Sequence, residues 1–389
     1  MNVLSLFDGM SCAQIALNKL GIKYNNYYAS EIDKYAMLVT KANYPETIHI
    51  GNVVDVKGEE LPKIDILIGG SPCQSFSFAG KLKGMSTTCN KQIFTLEHYL
   101  QLKQQGFEFE GQSYLFWEYI RILREVKPEY FLLENVKMSS WNQKIISEAI
   151  GIDPIFINSS LLSAQSRKRL YWTNMGTNRK NLFGIEQPAI KQPADKNIFL
   201  KDILVDQADE KYYLSEKILS YFQKNSEKMK ENGSNWRFET LKEDSKSKSV
   251  TTKEGQRMQA NYVKAINQSI KNEKSTCLDA SYYKGFGIRC GKCRQVVKTD
   301  RQGNISKNQS KSRCLAVGGN GCGNHSDMDC LIIKTCTCTR IRRLTPLECE
   351  RLQTVPDNYT NHVSDSQRYK MLGNGFTVDV IAYILNHIK

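Results

Sequence analysis

Through the first 175 residues, short apolar runs alternate with stretches of helical periodicity, and that alternation leaves few architectures open. The apolar runs are Val3 to Phe7, Tyr27 to Ser30, Ile64 to Gly69, Tyr130 to Leu133, Ile155 to Asn158 and Leu170 to Thr173. Between them, Ala13 to Leu20, Lys34 to Ala42, Leu115 to Val126 and Gln143 to Ala149 repeat their apolar residues at helical spacing. Strand, helix and strand in this order predict an α/β fold with a doubly wound, mostly parallel sheet. In such sheets ligands bind in the crevice beyond the strand C-termini, so chemistry is expected in the loops after Phe7, Ser30, Gly70 and Leu133.

Length and composition narrow the class. A chain of 389 residues predicts two domains and a core large enough to fold without staples. With 40% apolar and 24% charged residues it is not disordered, and no apolar run reaches the ~18 residues of a membrane span. The opening MNVLSLFDGM lacks a basic start and is interrupted by Asp8, so it reads as a first strand rather than a signal peptide. The 12 cysteines are irregularly spaced, which predicts reduced thiols in a cytoplasmic protein, with any cysteine chemistry catalytic or metal-binding.

The net charge of +14 is concentrated. Residues 242 to 313 hold 17 Lys and Arg against 6 Asp and Glu, a net of +11, in the polar region that begins near residue 176. Such a block points to a polyanion, most simply nucleic acid, with a solvated basic surface as the alternative. Three similar segments, Lys246 to Val250, Lys274 to Leu278 and Lys311 to Leu315, start 28 and 37 residues apart and fit either repeated β-hairpins or coincidence. After Arg340, Thr345, Pro346 and Glu348 form a capping box that opens a helix through about Gln353. The end reads as a loop at Gly373, Asn374 and Gly375 followed by a core helix that could complete the first domain's layer.

Five segments carry candidate chemistry. In Leu6-Phe7-Asp8-Gly9-Met10-Ser11-Cys12 a strand turns into a helix, and Gly9 permits close backbone approach. Glu31 follows the second strand where a carboxylate accepts from ribose hydroxyls, although a helix N-terminal acid reads the same way. Cys73 lies in Gly69-Gly70-Ser71-Pro72-Cys73, presented by a rigid turn, whereas Cys12, Cys277 and Cys349 read as inert. Glu134 suits either a capping acid or a general acid facing the thiol. Gln165, Arg167 and Arg169 share one face if extended, fit for an anionic or carbonyl ligand or for a solvated strand edge.

Taken in order, Phe7-x-Gly9, Glu31, Pro72-Cys73-Gln74, Glu134-Asn135-Val136, Gln165-x-Arg167-x-Arg169, Arg343 to Cys349 and Gly373-Asn374-Gly375 resemble the cytosine-5 DNA methyltransferases. The resemblance covers roughly 1 to 175 and 340 to 389. It implies the S-adenosylmethionine-dependent methyltransferase fold, with 1–175 as catalytic and cofactor-binding domain, 176–339 as a smaller, β-rich target-recognition domain and 340–389 as a return segment. The implied reaction transfers a methyl group from S-adenosylmethionine to C5 of a cytosine flipped out of duplex DNA. Cys73 thiolate adds to C6, Glu134 acts at N3 with its carboxyl kept partly neutral, Arg167 and Arg169 hold O2 and that carboxyl, and Asn135 orients the Pro72–Cys73 loop. Gln165 belongs to the same motif. The cofactor would lie against Phe7, Gly9 and Met10, with Glu31 on the ribose, Ile32 against adenine, Asn52 and Val53 at the adenine edge, Leu115 along one side, and Asn374 with Gly375 closing the pocket.

Three departures stand out: Ser11 replaces a usual second glycine, narrowing the turn; Asn52 replaces an acid, weakening adenine binding; and 42 residues separate Cys73 from Leu115. That enlarged loop, about 76–112, with Lys81, Lys83, Lys91 and a helix predicted from Gln92 to Gln104, reads as a lid closing on DNA or a passive insertion. Cys290 with Cys293 and Cys336 with Cys338 do not complete a standard zinc set, so no metal is expected. The rival readings are a tRNA cytosine-5 methyltransferase, a catalytically silent DNA-binding subunit and a zinc-dependent regulator. The implied partners are duplex DNA and, where the enzyme does not stand alone, a restriction endonuclease protecting host or phage DNA; a monomer suffices, and no membrane is involved.

Overall fold

The computed structural model describes residues 1–388 apart from 73–92, 110, 113, 177, 181–185, 235–237, 256–259, 268–294, 299–328 and 333–337. The first half runs β1 (Asn2–Leu6), α1 (Cys12–Lys19), β2 (Asn26–Ser30), α2 (Lys34–Asn43), β3 (Ile48–Gly51), β4 (Ile66–Gly69), α3 (Leu96–Gln104), α4 (Leu115–Val126), β5 (Tyr130–Val136), α5 (Ser140–Ile150), β6 (Ile155–Asn158), β7 (Gln165–Ser166) and β8 (Lys168–Thr173). It continues with β9 (Asn178–Lys180), β10 (Glu186–Pro188), α6 (Glu216–Glu231), β11 (Ser247–Lys248), β12 (Tyr262–Asn267), β13 (Gln295–Lys298), β14 (Asp329–Ile332), β15 (Cys338–Arg343), α7 (Pro346–Leu352), α8 (Asp365–Asn374) and α9 (Val378–Leu385).

Seven strands form one sheet in the order β3-β2-β1-β4-β5-β8-β6. The neighbours from β3 through β5 are parallel, while β8 runs antiparallel to both β5 and β6. Alternate residues feed two layers: Val3, Tyr27, Ile66, Ile68 and Leu132 pack into one apolar cluster, and Leu4, Leu6, Leu67, Phe131 and Leu133 into the other. The first layer is closed by α1, α7, α8 and α9, the second by α3, α4 and α5, with Trp117 and Trp172 fully buried in it. This is a doubly wound sheet, and its order reverses between β1 and β4, the switch point where a crevice opens.

Several elements differ from the periodicity. β3 leaves its residues partly exposed, so it carries no buried face for a pattern to reveal. β5 continues past Leu133 to Val136 because β8 pairs with it there, Glu134 opposite Tyr171, so Glu134 and Asn135 are in a strand and not in a loop. The helix predicted from Gln92 starts instead at Leu96, where the Thr95 hydroxyl caps it by accepting from the His98 N–H at 3.2 Å. Gly373 and Asn374 are the last turn of α8 rather than loop.

The capping box forms as expected, and Glu348 in it does more. Its carboxylate is fully buried, pairs with Arg342 at 2.7 Å and accepts from the N–H groups of Thr345 and Val205. A buried ion pair is tolerated only with its remaining acceptors filled in this way. Lys246 to Val250 does not form a hairpin: β11 pairs in parallel with β7, and the Lys246 ammonium is spent on the carbonyls of Ser160 and Ser163 and on Asp195. Lys274 to Leu278 and Lys311 to Leu315 lie outside the described residues. β12 pairs antiparallel with β15, and Phe222 of α6 packs with Leu214 and Tyr262 into a small separate cluster. No described helix is long and apolar enough to cross a membrane.

Candidate active site

A cleft of about 430 Å³ opens at the switch point, bounded by the C-terminal ends of β1, β2, β4 and β5 and by the end of α8. Its floor is the turn after β1. Phe7, Gly9 and Ser11 all adopt positive φ, at 56°, 61° and 59°. For Gly9 that conformation is free, and no atom lies within 4 Å of where a Cβ would stand. Ser11 is a β-carbon residue in a glycine's conformation, and its hydroxyl bonds to Asp8. The turn therefore keeps its shape without the second glycine. Burial pushes the Asp8 carboxyl up to about 6 against the lowering effect of hydrogen bonds from Ser11 and Tyr27.

Glu31 ties the first two turns together. One carboxylate oxygen accepts from the Gly9 N–H at 2.7 Å, and the other from the N–H groups of Ile32 at 2.7 Å and Asp33 at 2.8 Å. A carboxylate offers about four acceptor sites, so these three bonds fix the side chain and leave it able to accept once more. Ile32 is 69% exposed on the lip of the cleft, an apolar face left largely open among the described residues. Asp33 caps α2 and pairs with Lys370 of α8 at 2.7 Å. Partial burial pushes that carboxyl up, but Lys370 and the two capped N–H groups outweigh it and hold it below the usual carboxylate range.

On the opposite side, Gly70, Ser71 and Pro72 leave β4 and Glu134 faces them from β5. At Gly70 the packing is tight: a Cβ there would stand 2.7 Å from the Phe376 ring, which would have to shift. Asn135 is buried beneath this loop, and its amide donates to the Ser71 hydroxyl at 3.1 Å. Arg169 Nε stands 2.7 Å from Glu134 Oε1, a pairing between diagonal positions on adjacent strands.

The cleft thus brings together Phe7, Gly9, Glu31, Ile32, Asn52, Val53, Pro72, Leu115, Glu134, Arg167, Arg169, Asn374 and Gly375. It does not bring in Met10, Asn135 or Gln165. Met10 is fully buried behind Gly375, and Gln165 is fully buried among backbone groups of Val250 and Leu352. Cys73 lies outside the described residues, as do Lys81, Lys83 and Lys91. The three residues of the Gln165 motif do not share one use, because the chain breaks strand pairing between β7 and β8 at Arg167. Sequence reasoning passed over Asp8, Asp33, Ser71, Lys370 and Phe376, all in the lining. Asp33 had a signal, an acid just ahead of a helical run; Lys370 and Phe376 reach the cleft only through tertiary packing.

Among the described residues no group of three His, Cys, Asp or Glu could hold a metal ion, while Cys290, Cys293 and Cys336 are outside them.

The chain is 28% identical to the orphan methyltransferase M.SPRI of Bacillus phage SPR, over 100% of this chain and 97% of that one. It is 25% identical to the type II methyltransferase M.HhaI of Haemophilus parahaemolyticus, over 100% and 94%. A solved structure of a DNMT2 variant from Spodoptera frugiperda shares the fold, with a TM-score of 0.57 and 20% identity over 99% of this chain and 98% of the other. The family model described as C-5 cytosine-specific DNA methylase matches residues 1–389, and with the cleft built as above the chain belongs to that family of enzymes.

Proposed function

We propose that this enzyme methylates C5 of cytosines within one short sequence of duplex DNA, with S-adenosylmethionine as donor and a covalent Cys73 adduct on the way. The observation that carries the reading is the Glu134–Arg169 pair facing Pro72 across the same cleft that holds Glu31, in a member of this family.

The cleft fits the cofactor. Glu31 has one acceptor site left for a ribose hydroxyl, Ile32 offers its exposed face to adenine, and Asn52 with Val53 borders the same end. Gly9 has the open space a methionine tail needs, and Asn374 and Gly375 close the far side. When bound, S-adenosylmethionine supplies an electrophilic methyl group.

The chain's own residues do the rest. Cytosine C5 is a weak nucleophile, so Cys73 thiolate adds to C6 and the displaced electron pair becomes available at C5. Glu134 holds N3 while charge develops on the ring, and Arg169 keeps Glu134 in place and reaches O2. Asn135 steadies Ser71 and so the loop that presents Cys73. After methylation, loss of the C5 proton drives elimination and frees the thiolate. The base has to leave the stack, at a cost of a few kcal/mol offset by contacts in the cleft. The residues from 176 to 339, with their basic block, supply the body that a reader of duplex sequence needs.

Methyl transfer from labelled S-adenosylmethionine to unmethylated duplex DNA and to tRNA, followed by bisulfite sequencing, tests the proposal. Label at cytosines of one recurring DNA sequence supports it and supplies the recognition site. Label confined to tRNA, or no transfer with DNA binding intact, overturns it.

A further inference from the structure

Arg167 is 3% exposed, and a buried cation persists only where acceptors meet its donors. Its acceptors come from two segments far apart in the chain. Nη1 donates to the Val250 carbonyl at 3.0 Å and the Ser249 hydroxyl at 3.3 Å; Nη2 donates to the carbonyls of Gly373 and Gly375, both at 3.1 Å. The second pair belongs to the C-terminal end of α8, where carbonyls lack helical partners and a cation is favoured. The two segments also touch directly: a Cβ on Gly373 would meet the backbone of Thr251 and Thr252 at 2.2 Å.

These segments have different duties. The first, 249–252, follows β11 and lies within the basic block that starts at residue 242. The second carries the Asn374 and Gly375 wall of the cleft. From this bridge we infer that Arg167 is a positioning residue that couples DNA engagement to cofactor affinity: DNA fixes the 249–252 segment, and the guanidinium passes that constraint to the Gly373 and Gly375 carbonyls. Gln165 braces the same bridge, accepting from the Val250 N–H at 2.7 Å. The inference rests on the methyltransferase reading and gives Arg167 a different role from the base contact that family resemblance implies. Coupling of this kind is reciprocal, so cofactor tightens DNA by the same factor.

The test is calorimetric titration of the full chain with S-adenosylhomocysteine, the demethylated cofactor that binds without turning over, with and without saturating sheared duplex DNA free of 5-methylcytosine. DNA should tighten the cofactor on the order of 10-fold in the wild type. In Arg167→Lys and Arg167→Gln that factor should collapse to about one, with affinity for DNA alone retained. Wild-type coupling in Arg167→Lys overturns the inference, and so does coupling kept while methyl transfer is lost, which would put the guanidinium on the base. A wild type that binds both ligands without coupling overturns this inference alone; one that binds neither overturns the methyltransferase reading with it. Hydrogen exchange on the wild type needs no variant: DNA without cofactor should slow amide exchange at residues 371–376, and unchanged exchange there overturns the coupling.

Discussion

The two sides of the cleft are held by different physics. The wall from β1 and β2 is local: three N–H groups within the first 33 residues orient Glu31, and the turn beneath is set by Gly9 and by the Ser11 hydroxyl on Asp8. The wall from α8 is assembled at a distance. Gln353 donates to the Leu372 carbonyl at 2.6 Å and meets Gln165 at 3.2 Å, while Arg167 holds Gly373 and Gly375. A wall built from local turns can be rigid before anything binds; one built from distant side chains takes its position from what else those side chains touch. On the proposed function the chemistry needs both, one wall to hold the methyl donor and the other to shut it in.

Substitutions can break that contrast at several strengths. Cys73→Ala should lower methyl transfer by on the order of 10⁴-fold or more while leaving cofactor and DNA affinities alone; a loss of cofactor affinity would show that the cysteine loop is part of a wall. Glu134→Gln should cost ~10³-fold in kcat with little change in cofactor KM, as steady-state assays will show. At the local wall, Asp8→Asn reports through pH. Between about pH 4 and pH 6 the unfolded chain gives up the Asp8 proton while the folded chain keeps it, so stability falls as pH rises through that window. The asparagine variant lacks that fall, so its stability relative to wild type should climb by about 3 kcal/mol across urea melts in this range. At the distant wall, Gln353→Leu orphans the partners of a buried amide and should cost ~2 kcal/mol at every pH; it should weaken cofactor affinity and its dependence on DNA together, whereas Asp8→Asn should leave the DNA dependence unchanged. The smallest effect belongs to Lys370→Ala, which removes a partly exposed pair with Asp33 and should cost under ~1 kcal/mol, shrinking further in high salt.

The same division decided what could be read from the sequence. Apolar alternation gave the central strands, because β1, β4 and β5 are buried on both faces, and glycine followed by acid marked the first two turns. The edge strand β3 escaped because it buries no face. Glu134 was legible as a residue but not as a strand position, since its pairing depends on β8 folding back antiparallel. Gln165 and Arg167 carried a motif yet no geometry: nothing near residue 165 announces Val250, Leu352 or Gly373 as partners. Asp8 looked like an interruption of an apolar start, although it is the buried anchor that lets Ser11 hold a glycine's conformation.

α9 packs against α1, and Lys19 meets Asp379, so the two ends of this fold are neighbours. Ribosomes add roughly 5–20 residues per second, which puts about 10 to 40 seconds between the emergence of residue 175 and that of the α8 wall. For that interval the nascent chain lacks the partner of α1 and one side of its cleft. A chain interrupted anywhere in the basic block would hold neither a closed layer nor a closed cleft. The order of synthesis thus makes the cleft one of the last features of this fold to be completed.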